Sequence, residues 1–452
     1  MVLHGTMDIN EQGNLEIGKC DVTEIAKEYG TPLYILDEEE IRDNCQAYRQ
    51  AFEEWYSNSE TIYASKAFTS LTMCKIVEEE GLGLDVVSGG ELYTALEADF
   101  PTEKIYFHGN NKTPEELEMA LDADIGRVIV DNNYELNLLN ELAAQCDKTA
   151  DILVRVTPGV EAHTHSYIQT GQTDSKFGVG IQSGLALETI KAAIELENIA
   201  VKGIHCHIGS QIFNLESFEV AIDIMLDFIE EVKNETGLIM EELNIGGGVG
   251  IKYTDEDQSV SINKYAELVA KAIKQKCEEI NIPLPKVINE PGRSIIGTAG
   301  STIYTVGSIK DIPGIRKYVA VNGGMSDNIR PALYDAEYEA IVANKANKKP
   351  EEVVSITGKC CESGDVLIWD IKLPKMESGD ILLISCTGAY GYAMASNYNS
   401  LPKPGVVLIN DGQIEEIIHG EGYEDLITKE EVPLRLKEGD QQKDKNVDTV
   451  AL

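Results

Sequence analysis

The chain of 452 residues carries 38 lysines and arginines against 77 aspartates and glutamates, a formal net charge of −39. A surface this acidic repels nucleic acid and anionic membranes, so neither is an expected partner. The length exceeds one ordinary domain and predicts two domains with a large core. The acidic residues are spread over helix-like stretches and the end of the chain, which favours a solvated surface over an acidic binding face.

The nine cysteines indicate a reducing compartment. Their number is odd, no C-x-x-C pair occurs, and Cys360 is followed directly by Cys361, which argues against a disulfide framework and a zinc ribbon. The first ten residues lack a basic stretch followed by an apolar run, and no apolar stretch reaches membrane-spanning length. We therefore expect an unprocessed, soluble protein of the cytoplasm.

Short β-rich segments alternate with longer helical patterns between residues 61 and 294. The β segments are 61–66, 82–88, 104–109, 127–131, 151–159, 201–209, 243–250 and 286–293. Helical patterns between them include 113–121, with a Thr-Pro-Glu-Glu start, and 215–236. Eight strands, each but the last followed by a helix, predict an α/β fold of the (β/α)8 TIM-like barrel type. A doubly wound open sheet is the alternative that a strand count leaves open.

The pattern changes after residue 299 to short β segments separated by Gly, Pro and Asp turns, at 302–308, 318–321, 353–357, 380–385 and 405–409. They predict a C-terminal all-β domain, a β-sandwich or β-barrel. Residues 15–36 are partly strand-like, and we expect them to join it. The predicted organisation is a barrel at 38–298, a β domain formed by 1–37 and 299–430, and a disordered polar tail at 431–452.

Unusual polar residues and glycines gather where the predicted barrel strands end. They are Lys66, Asp85, His108, His207, the run Gly246-Gly247-Gly248, and Glu290 with Arg293. The carboxyl ends of the strands form the active face of such a barrel, so these residues are expected to share one site.

Lys66 and Glu290 indicate the chemistry of that site. A lysine that forms a Schiff base must be held near the reacting carbon with its pKa lowered, and a partner of a pyridine nitrogen must be charged and buried. Lys66 and Glu290 each end an apolar run, and together they predict pyridoxal 5'-phosphate (PLP) as cofactor. The structural alternatives are a surface lysine and a salt bridge between Glu290 and Arg293.

Two further motifs have a functional and a structural interpretation. The glycine run at 246–248 is either a tight turn or a phosphate site, and its place after the seventh strand favours phosphate. Alternation along a strand puts His205 and His207 on one face, where they could ligate a metal only with further ligands. We favour His207 stacked on a flat cofactor ring, a structural His205 and no metal site.

Six motifs occur together, in the order Tyr63-Ala64-Ser65-Lys66, His207-Ile208-Gly209-Ser210-Gln211, Gly246-Gly247-Gly248-Val249-Gly250, Glu290-Pro291-Gly292-Arg293-Ser294, Cys361-Glu362-Ser363-Gly364-Asp365 and Gly388-Ala389-Tyr390. Through them the chain resembles the diaminopimelate decarboxylase family of alanine-racemase-like, fold-type III PLP enzymes, from about residue 33 to 421. That family has a PLP-binding barrel and a β domain. Departures are slight: Phe68 stands where Asn is expected, and Cys206 where Ser is common.

The resemblance implies a role for each matched residue. Lys66 carries the cofactor as a Schiff base, His207 stacks on its ring and Glu290 faces the pyridine nitrogen. Cys361 is the proton donor and enters from the partner subunit of a homodimer. The other cofactor-binding positions are Asp85, Ser210, Gly246, Gly247, Gly248, Gly292, Arg293 and Tyr390, and the substrate-binding positions are Arg293, Arg330, Tyr334, Glu362 and Tyr390.

The implied reaction is decarboxylation of meso-2,6-diaminopimelate to L-lysine and CO2, the last step of lysine biosynthesis. Arg293 and Arg330 can bind the distal carboxylate of this substrate, and Glu362 its distal ammonium. Alternatives are a related decarboxylase acting on carboxynorspermidine, ornithine or arginine, and a non-catalytic PLP-binding protein, which should have lost Lys66 or Cys361. Residues 174–178 also resemble the family and are expected to contribute to specificity.

Overall fold

The computed structural model describes residues 2–159 and 175–437. The part of the predicted disordered tail beyond residue 437 and the first residue of the predicted specificity segment lie outside these ranges. Every helix within these ranges is either too short or too polar to span a lipid bilayer. Leu434–Lys437 form a short exposed helix, one ordered turn within the region predicted to be a disordered tail.

The N-terminal region leads into the first large helix. It contains strands β1 (Asp8–Ile9), β2 (Leu15–Ile17) and β3 (Cys20–Asp21), helix α1 (Val22–Tyr29), strand β4 (Leu33–Asp37) and helix α2 (Glu38–Trp55). Asp21 caps α1 and Asp37 caps α2, each through a side-chain oxygen that accepts a hydrogen bond from a first-turn backbone N–H. Both helix starts are therefore determined locally by sequence.

Eight parallel strands close into a barrel, which confirms the predicted (β/α)8 fold and excludes the open sheet. The strands are β5 (Ser59–Ala64), β6 (Gly83–Val86), β7 (Ile105–Phe107), β8 (Arg127–Val130), β9 (Ala150–Thr157), β11 (Ile199–His205), β12 (Glu242–Asn244) and β13 (Lys286–Asn289), and β10 (Val179–Gly180) adds to the side of β9. Closure comes from the parallel pairing of β13 with β5, where Val287 lies opposite Ser59. Each of the eight predicted barrel segments overlaps one of these strands.

Helices cover the outside of the barrel. They are α3 (Leu71–Glu79), α4 (Gly89–Glu97), α5 (Pro114–Asp122), α6 (Asn133–Gln145), α7 (Leu185–Ile194), α8 (Glu216–Thr236) and α9 (Ile262–Glu279), with the short α10 (Arg293–Ile296) after β13. The predicted Thr-Pro-Glu-Glu start is confirmed, because Thr113 and Glu116 form a reciprocal capping box at α5. Helix α2 packs against α9 and β5 and so completes the ring.

The second domain is a β structure. Its elements are β14 (Gly300–Ile312), β15 (Arg316–Val321), α11 (Arg330–Tyr334), β16 (Ala340–Val342), β17 (Glu352–Thr357), β18 (Val366–Leu373), β19 (Ile381–Ile384), β20 (Gly405–Asn410), β21 (Gln413–Ile418), α12 (Tyr423–Ile427) and α13 (Leu434–Lys437). The main strand order is β18-β17-β15-β14-β4-β20-β21, with β19 joining β14 to β16. Strand β4 lies between β14 and β20, so the N-terminal strand is an internal member of this sheet.

Candidate active site

A cavity of about 740 Å³ opens at the carboxyl ends of the barrel strands. Eight of the predicted site residues line it: Lys66, His207, Ser210, Glu290, Arg293, Arg330, Tyr334 and Tyr390. Two of these, Arg330 and Tyr334, come from α11 of the second domain, and Tyr390 follows β19. The barrel and the β domain therefore both contribute to one site.

Lys66 lies in a single 3-10 turn, Ser65–Ala67, directly after β5. Burial lowers the pKa of its amine, but the carboxylate of Asp85, followed by Tyr390 and Glu290, outweighs burial, so the pKa is raised. This differs from the lowered pKa that the sequence argument required. The difference arises because the carboxylates of Asp85 and Glu290 both stabilise the charged ammonium of Lys66.

Glu290 is buried, and its carboxylate is held by groups from three other strands. Asn244 donates a hydrogen bond to Oε1 at 2.7 Å, His108 Nε2 lies 2.9 Å from the same oxygen, and His205 Nε2 lies 3.3 Å from Oε2. Burial raises the pKa of Glu290, but the two imidazoles outweigh it and hold the pKa well below its usual range. Glu290 is thus a buried, ionised carboxylate.

This arrangement rules out the salt bridge considered as a structural alternative for Glu290. Arg293 instead donates hydrogen bonds to Ser210 Oγ, at 2.9 Å from Nη2, and to the hydroxyl of Tyr253. The ring of His205, for which a structural role was predicted, contacts the carboxylate of Glu290.

Asp85 is the penultimate residue of β6, near the carboxylate of Glu290, and it is 1 % exposed. Neither of its carboxylate oxygens has a hydrogen-bond partner among the described residues, and His108 Nε2 lies 3.7 Å away. Burial raises the pKa of Asp85, while His108 opposes that effect. Buried polar atoms without a partner mark a place where a bound group completes the hydrogen bonding.

His207 follows β11, and its ring is fixed in a neutral form. The backbone N–H of Gly247 donates to its Nδ1 at 3.3 Å. Burial lowers the pKa of His207 well below its usual value, and the nearby charge of Lys66 lowers it further. A neutral imidazole in the cavity wall suits stacking against a flat ring.

The buried imidazole of His205 predicts an acid sensitivity of the fold. Burial lowers its pKa from 6.5 to about 3, so the unfolded chain takes up a proton below pH 6.5 that the folded chain refuses. Its contribution to stability is complete above pH 6.5 and is lost as the pH falls from 6.5 towards 3. Between pH 7 and 5.5, His205→Asn should lose about 1 kcal/mol less unfolding free energy than the wild type, measured by urea unfolding. Identical losses would contradict a neutral His205.

The glycine run permits three strand ends to approach each other. A Cβ on Gly247 would lie 1.9 Å from the carbonyl oxygen of Glu290, and one on Gly248 would lie 2.2 Å from that of Gly209. Gly248 also has a φ of +117°, which disfavours any side chain there. A narrow cleft beside the cavity is lined by Ser210, Gly248 and Gly292. The glycines are thus required for backbone packing, and the cleft lies directly beside them.

Seven predicted residues do not line the cavity. Gly248 and Gly292 line the cleft beside it, Asp85, Gly246 and Gly247 line neither, and Cys361 and Glu362 belong to the β domain. Cys361 and Glu362 are exposed on the loop between β17 and β18 and do not line the cavity of this chain. The backbone N–H of Cys361 donates to Asn399 Oδ1 at 2.7 Å, which fixes the loop to the surface of the β domain. If these residues act on a cofactor, that cofactor belongs to another subunit.

The cavity fits PLP on observations of the chain itself. It combines the amine of Lys66, the ionised Glu290, the neutral ring of His207 and a cleft whose lining includes Ser210, Gly248 and Gly292. His108, His205 and Glu290 also place three possible metal ligands within 4.8 Å of one another. We interpret this cluster as the surroundings of a ring nitrogen, because the amine of Lys66 lines the same cavity.

Sequence analysis missed three residues of this site. Asn244 holds Glu290 together with the predicted His108, Tyr253 binds Arg293, and Arg155 lines the cavity with its guanidinium 4.4 Å from the centre of the Phe177 ring. A position at or near the end of a barrel strand was an available signal for Arg155 and Asn244. Tyr253 lies in a loop, where neither periodicity nor strand position points to it.

Comparison with known proteins agrees with this geometry. The family model described as "Pyridoxal-dependent decarboxylase, pyridoxal binding domain" matches residues 38–297. Fold and site together define a PLP-dependent decarboxylase.

Individual relatives identify a narrower family within the PLP-dependent decarboxylases. The chain is 50% identical to the diaminopimelate decarboxylase of Bacillus subtilis over 94% of this chain and 97% of that protein, and 47% identical to the one of Staphylococcus aureus over 93% and 99%. The crystal structure of the M. jannaschii diaminopimelate decarboxylase in complex with L-lysine aligns with a TM-score of 0.90 and 39% identity, over 96% of this chain and 99% of that one. The chain belongs to the diaminopimelate decarboxylase family, and PLP is its cofactor.

Proposed function

We propose that the chain removes CO2 from meso-2,6-diaminopimelate and forms L-lysine, the last step of lysine biosynthesis. The observation that carries this proposal is one cavity that contains the amine of Lys66, the buried carboxylate of Glu290 and the two guanidinium groups of Arg293 and Arg330. The first pair suits PLP chemistry, and the second pair suits a substrate that has an additional carboxylate.

The residues around the cofactor have separate tasks in this proposal. When bound, PLP accepts the electrons that remain on the substrate carbon as CO2 leaves. Lys66 attaches the cofactor, and Glu290 favours a proton on the ring nitrogen. His207 stacks on the ring, while Asp85, Tyr390 and the backbone of the glycine run with Ser210, Gly292 and Arg293 complete the binding site.

The far end of the substrate determines specificity. Diaminopimelate has an amino acid group at each end, so one carboxylate and one ammonium remain when the other end reacts. Arg293 and Arg330 would bind that carboxylate, and Glu362 would pair with the ammonium. Tyr334 and Tyr390 would contact the carbon chain between the two ends. Ornithine and arginine have no second carboxylate for these arginines.

The proton that replaces CO2 is proposed to come from Cys361 of a second copy of the chain in a homodimer. Cys361 and Glu362 are exposed and lie outside the cavity of their own subunit, which supports delivery to a neighbouring one. A two-fold symmetric dimer would supply both sites in the same way.

Mixing two inactive variants tests this shared site. When Lys66→Ala and Cys361→Ala subunits exchange, half of the dimers are heterodimers, and each of these has one site with both lesions and one with neither. Activity should therefore recover to about a quarter of the wild-type value, measured as CO2 release.

The control is a mixture of the Lys66→Ala and Glu290→Gln variants, both of which retain Cys361. Lys66 and Glu290 belong to the same barrel, so each site of that heterodimer keeps one lesion, and the mixture should recover no activity whether or not Cys361 crosses from the partner. A double variant with Lys66→Ala and Cys361→Ala on one chain, mixed with wild type, should leave no fully intact site in the heterodimer. No recovery in the first mixture, with heterodimers shown by mass spectrometry, would rule out the shared site.

A substrate panel tests the proposed substrate against its rivals. The holoenzyme should have a kcat/KM for meso-diaminopimelate at least about a hundredfold above those for ornithine, arginine and carboxynorspermidine, because a site built for a carboxylate leaves its arginines unpaired with the others. Preference for any of the other three would overturn the assignment. No turnover of any of them by a PLP-loaded protein would favour the non-catalytic alternative.

Two further statements are proposals of the same kind. The domain limits of 38–298 for the barrel and of 1–37 with 299–430 for the β domain are supported by the place of β4 inside the second sheet. A cytoplasmic location is supported by nine free cysteines, which suit a reducing compartment.

A further inference from the structure

Tyr253 is a buried residue of the loop that follows β12, and the loop is held on both sides. The backbone N–H groups of Tyr253 and Thr254 donate to Asp257 Oδ2 at 3.0 and 2.9 Å. The side-chain amide of Gln211 exchanges two hydrogen bonds with the backbone of Ile251, at 2.9 and 3.0 Å. The position of the Tyr253 ring is therefore fixed before any ligand binds.

The hydroxyl of Tyr253 connects the two arginines of the cavity. Its oxygen accepts a hydrogen bond from Arg293 Nη1 at 2.6 Å and another from Arg330 Nη1 at 2.9 Å. Both guanidinium groups also lie over its ring, at 5.8 and 5.2 Å from the ring centre. Arg293 starts α10 in the barrel and Arg330 starts α11 in the β domain, so one phenol oxygen joins arginines from two domains.

The two arginines need such a connection because their charges repel. Each is only 6 % exposed, and among the described residues the hydrogen-bond acceptors of their guanidinium groups are hydroxyl oxygens and not carboxylates. Buried cations without an anionic partner are costly, and two of them together form a site for an anion. The phenol oxygen holds both close without neutralising either, which leaves their charge available to a ligand.

We propose that Tyr253 is a specificity-determining positioning residue, which sets Arg293 and Arg330 at the spacing that binds one carboxylate at the far end of the substrate. The inference rests on the proposed function and assigns the selection for a second carboxylate to the hydroxyl of this tyrosine. Tyr338 gives the matched comparison, because of the two arginines only Arg330 donates a hydrogen bond to its hydroxyl, at 2.7 Å.

L-lysine and cadaverine are the probes that isolate this effect. The product L-lysine retains the carboxylate at the unreacted end, whereas cadaverine is the same diamine without it. Calorimetric titration of the wild-type, Tyr253→Phe and Tyr338→Phe holoenzymes with each probe gives the ratio of the two affinities. Because the ratio is taken within one protein sample, partly unfolded protein lowers both titration stoichiometries and leaves the ratio unchanged.

Loss of the shared hydroxyl should weaken L-lysine binding at least about tenfold, the scale of a hydrogen bond to a charged group, and should leave cadaverine binding within about twofold. Tyr338→Phe should change the ratio by less than Tyr253→Phe does, since Arg293 keeps its partner. An unchanged ratio of the two affinities in Tyr253→Phe, whether both affinities stay the same or both fall equally, would overturn the inference. Neither result would affect the proposed reaction, which is measured independently by lysine formation in the wild type.

Discussion

Lys66→Ala should abolish CO2 release from meso-diaminopimelate, because no other amine in the described part of the cavity lies at the end of β5 beside Glu290 and His207. The variant loses the covalent attachment of the cofactor as well as the group that positions it. The measurement is CO2 release at saturating PLP, together with borohydride reduction and peptide mapping of the wild type. The reduced cofactor should be found on the peptide that contains Lys66.

Lys176 provides the matched control for this experiment. It also lines the cavity, but its ammonium lies 4.9 Å from the centre of the Phe177 ring and so on a different wall. Lys176→Ala should retain the borohydride label on Lys66. A label on Lys176, or a Lys66→Ala variant that turns over, would show that the wrong lysine has been assigned.

Glu290→Gln should lower kcat by at least about a hundredfold, the usual scale of losing one preorganised electrostatic partner. The variant keeps the shape of the side chain and can still accept a hydrogen bond from Asn244, so the fold should be little affected. What disappears is the negative charge, held ionised by the imidazoles of His108 and His205. Without that charge, a proton on the cofactor nitrogen is no longer stabilised, and the loss should appear in kcat more than in KM.

Glu290→Asp separates charge from geometry. The shorter side chain retains the carboxylate but retreats from His108 and His205, so its kcat should lie between those of the wild type and Glu290→Gln. If Glu290→Gln retained nearly full kcat, the charge would have no role in the reaction. Equal losses in Glu290→Asp and Glu290→Gln would assign the effect to geometry alone.

Sequence predicted the barrel because its signals are local. Each strand is a short apolar run, several helices begin at a capping residue such as Thr113 or Asn132, and the alternation of the two elements leaves few topologies. The carboxyl ends of parallel strands lie on one face whatever the details of packing, which is why Lys66, His207 and Glu290 could be placed in one site.

The contacts within the site could not be predicted in the same way. Glu290 is held by His108, His205 and Asn244, which precede it by 182, 85 and 46 positions along the chain. Only the closed barrel brings these side chains together. Pairings of this kind depend on rotamers and on the twist of the closed sheet. The raised pKa of Lys66 has the same origin, because Asp85 and Glu290 approach it from other strands.

The β domain was predicted less completely than the barrel. Strands β16, β18 and β21 were missed, and β18 shows the reason: its first three residues are buried, whereas Trp369 and Asp370 are exposed. A strand that changes its environment midway has no regular alternation for a sequence pattern to report. The place of β4 inside this sheet depends on long-range pairing and could only be suggested.

Formation of L-lysine is the most direct test of the proposed function. The purified holoenzyme, incubated with meso-diaminopimelate and PLP, should release L-lysine and CO2 in equal amounts, and the Lys66→Ala variant should release neither. A wild-type protein shown by borohydride labelling to carry PLP on Lys66, yet forming no L-lysine from meso-diaminopimelate, would contradict the account.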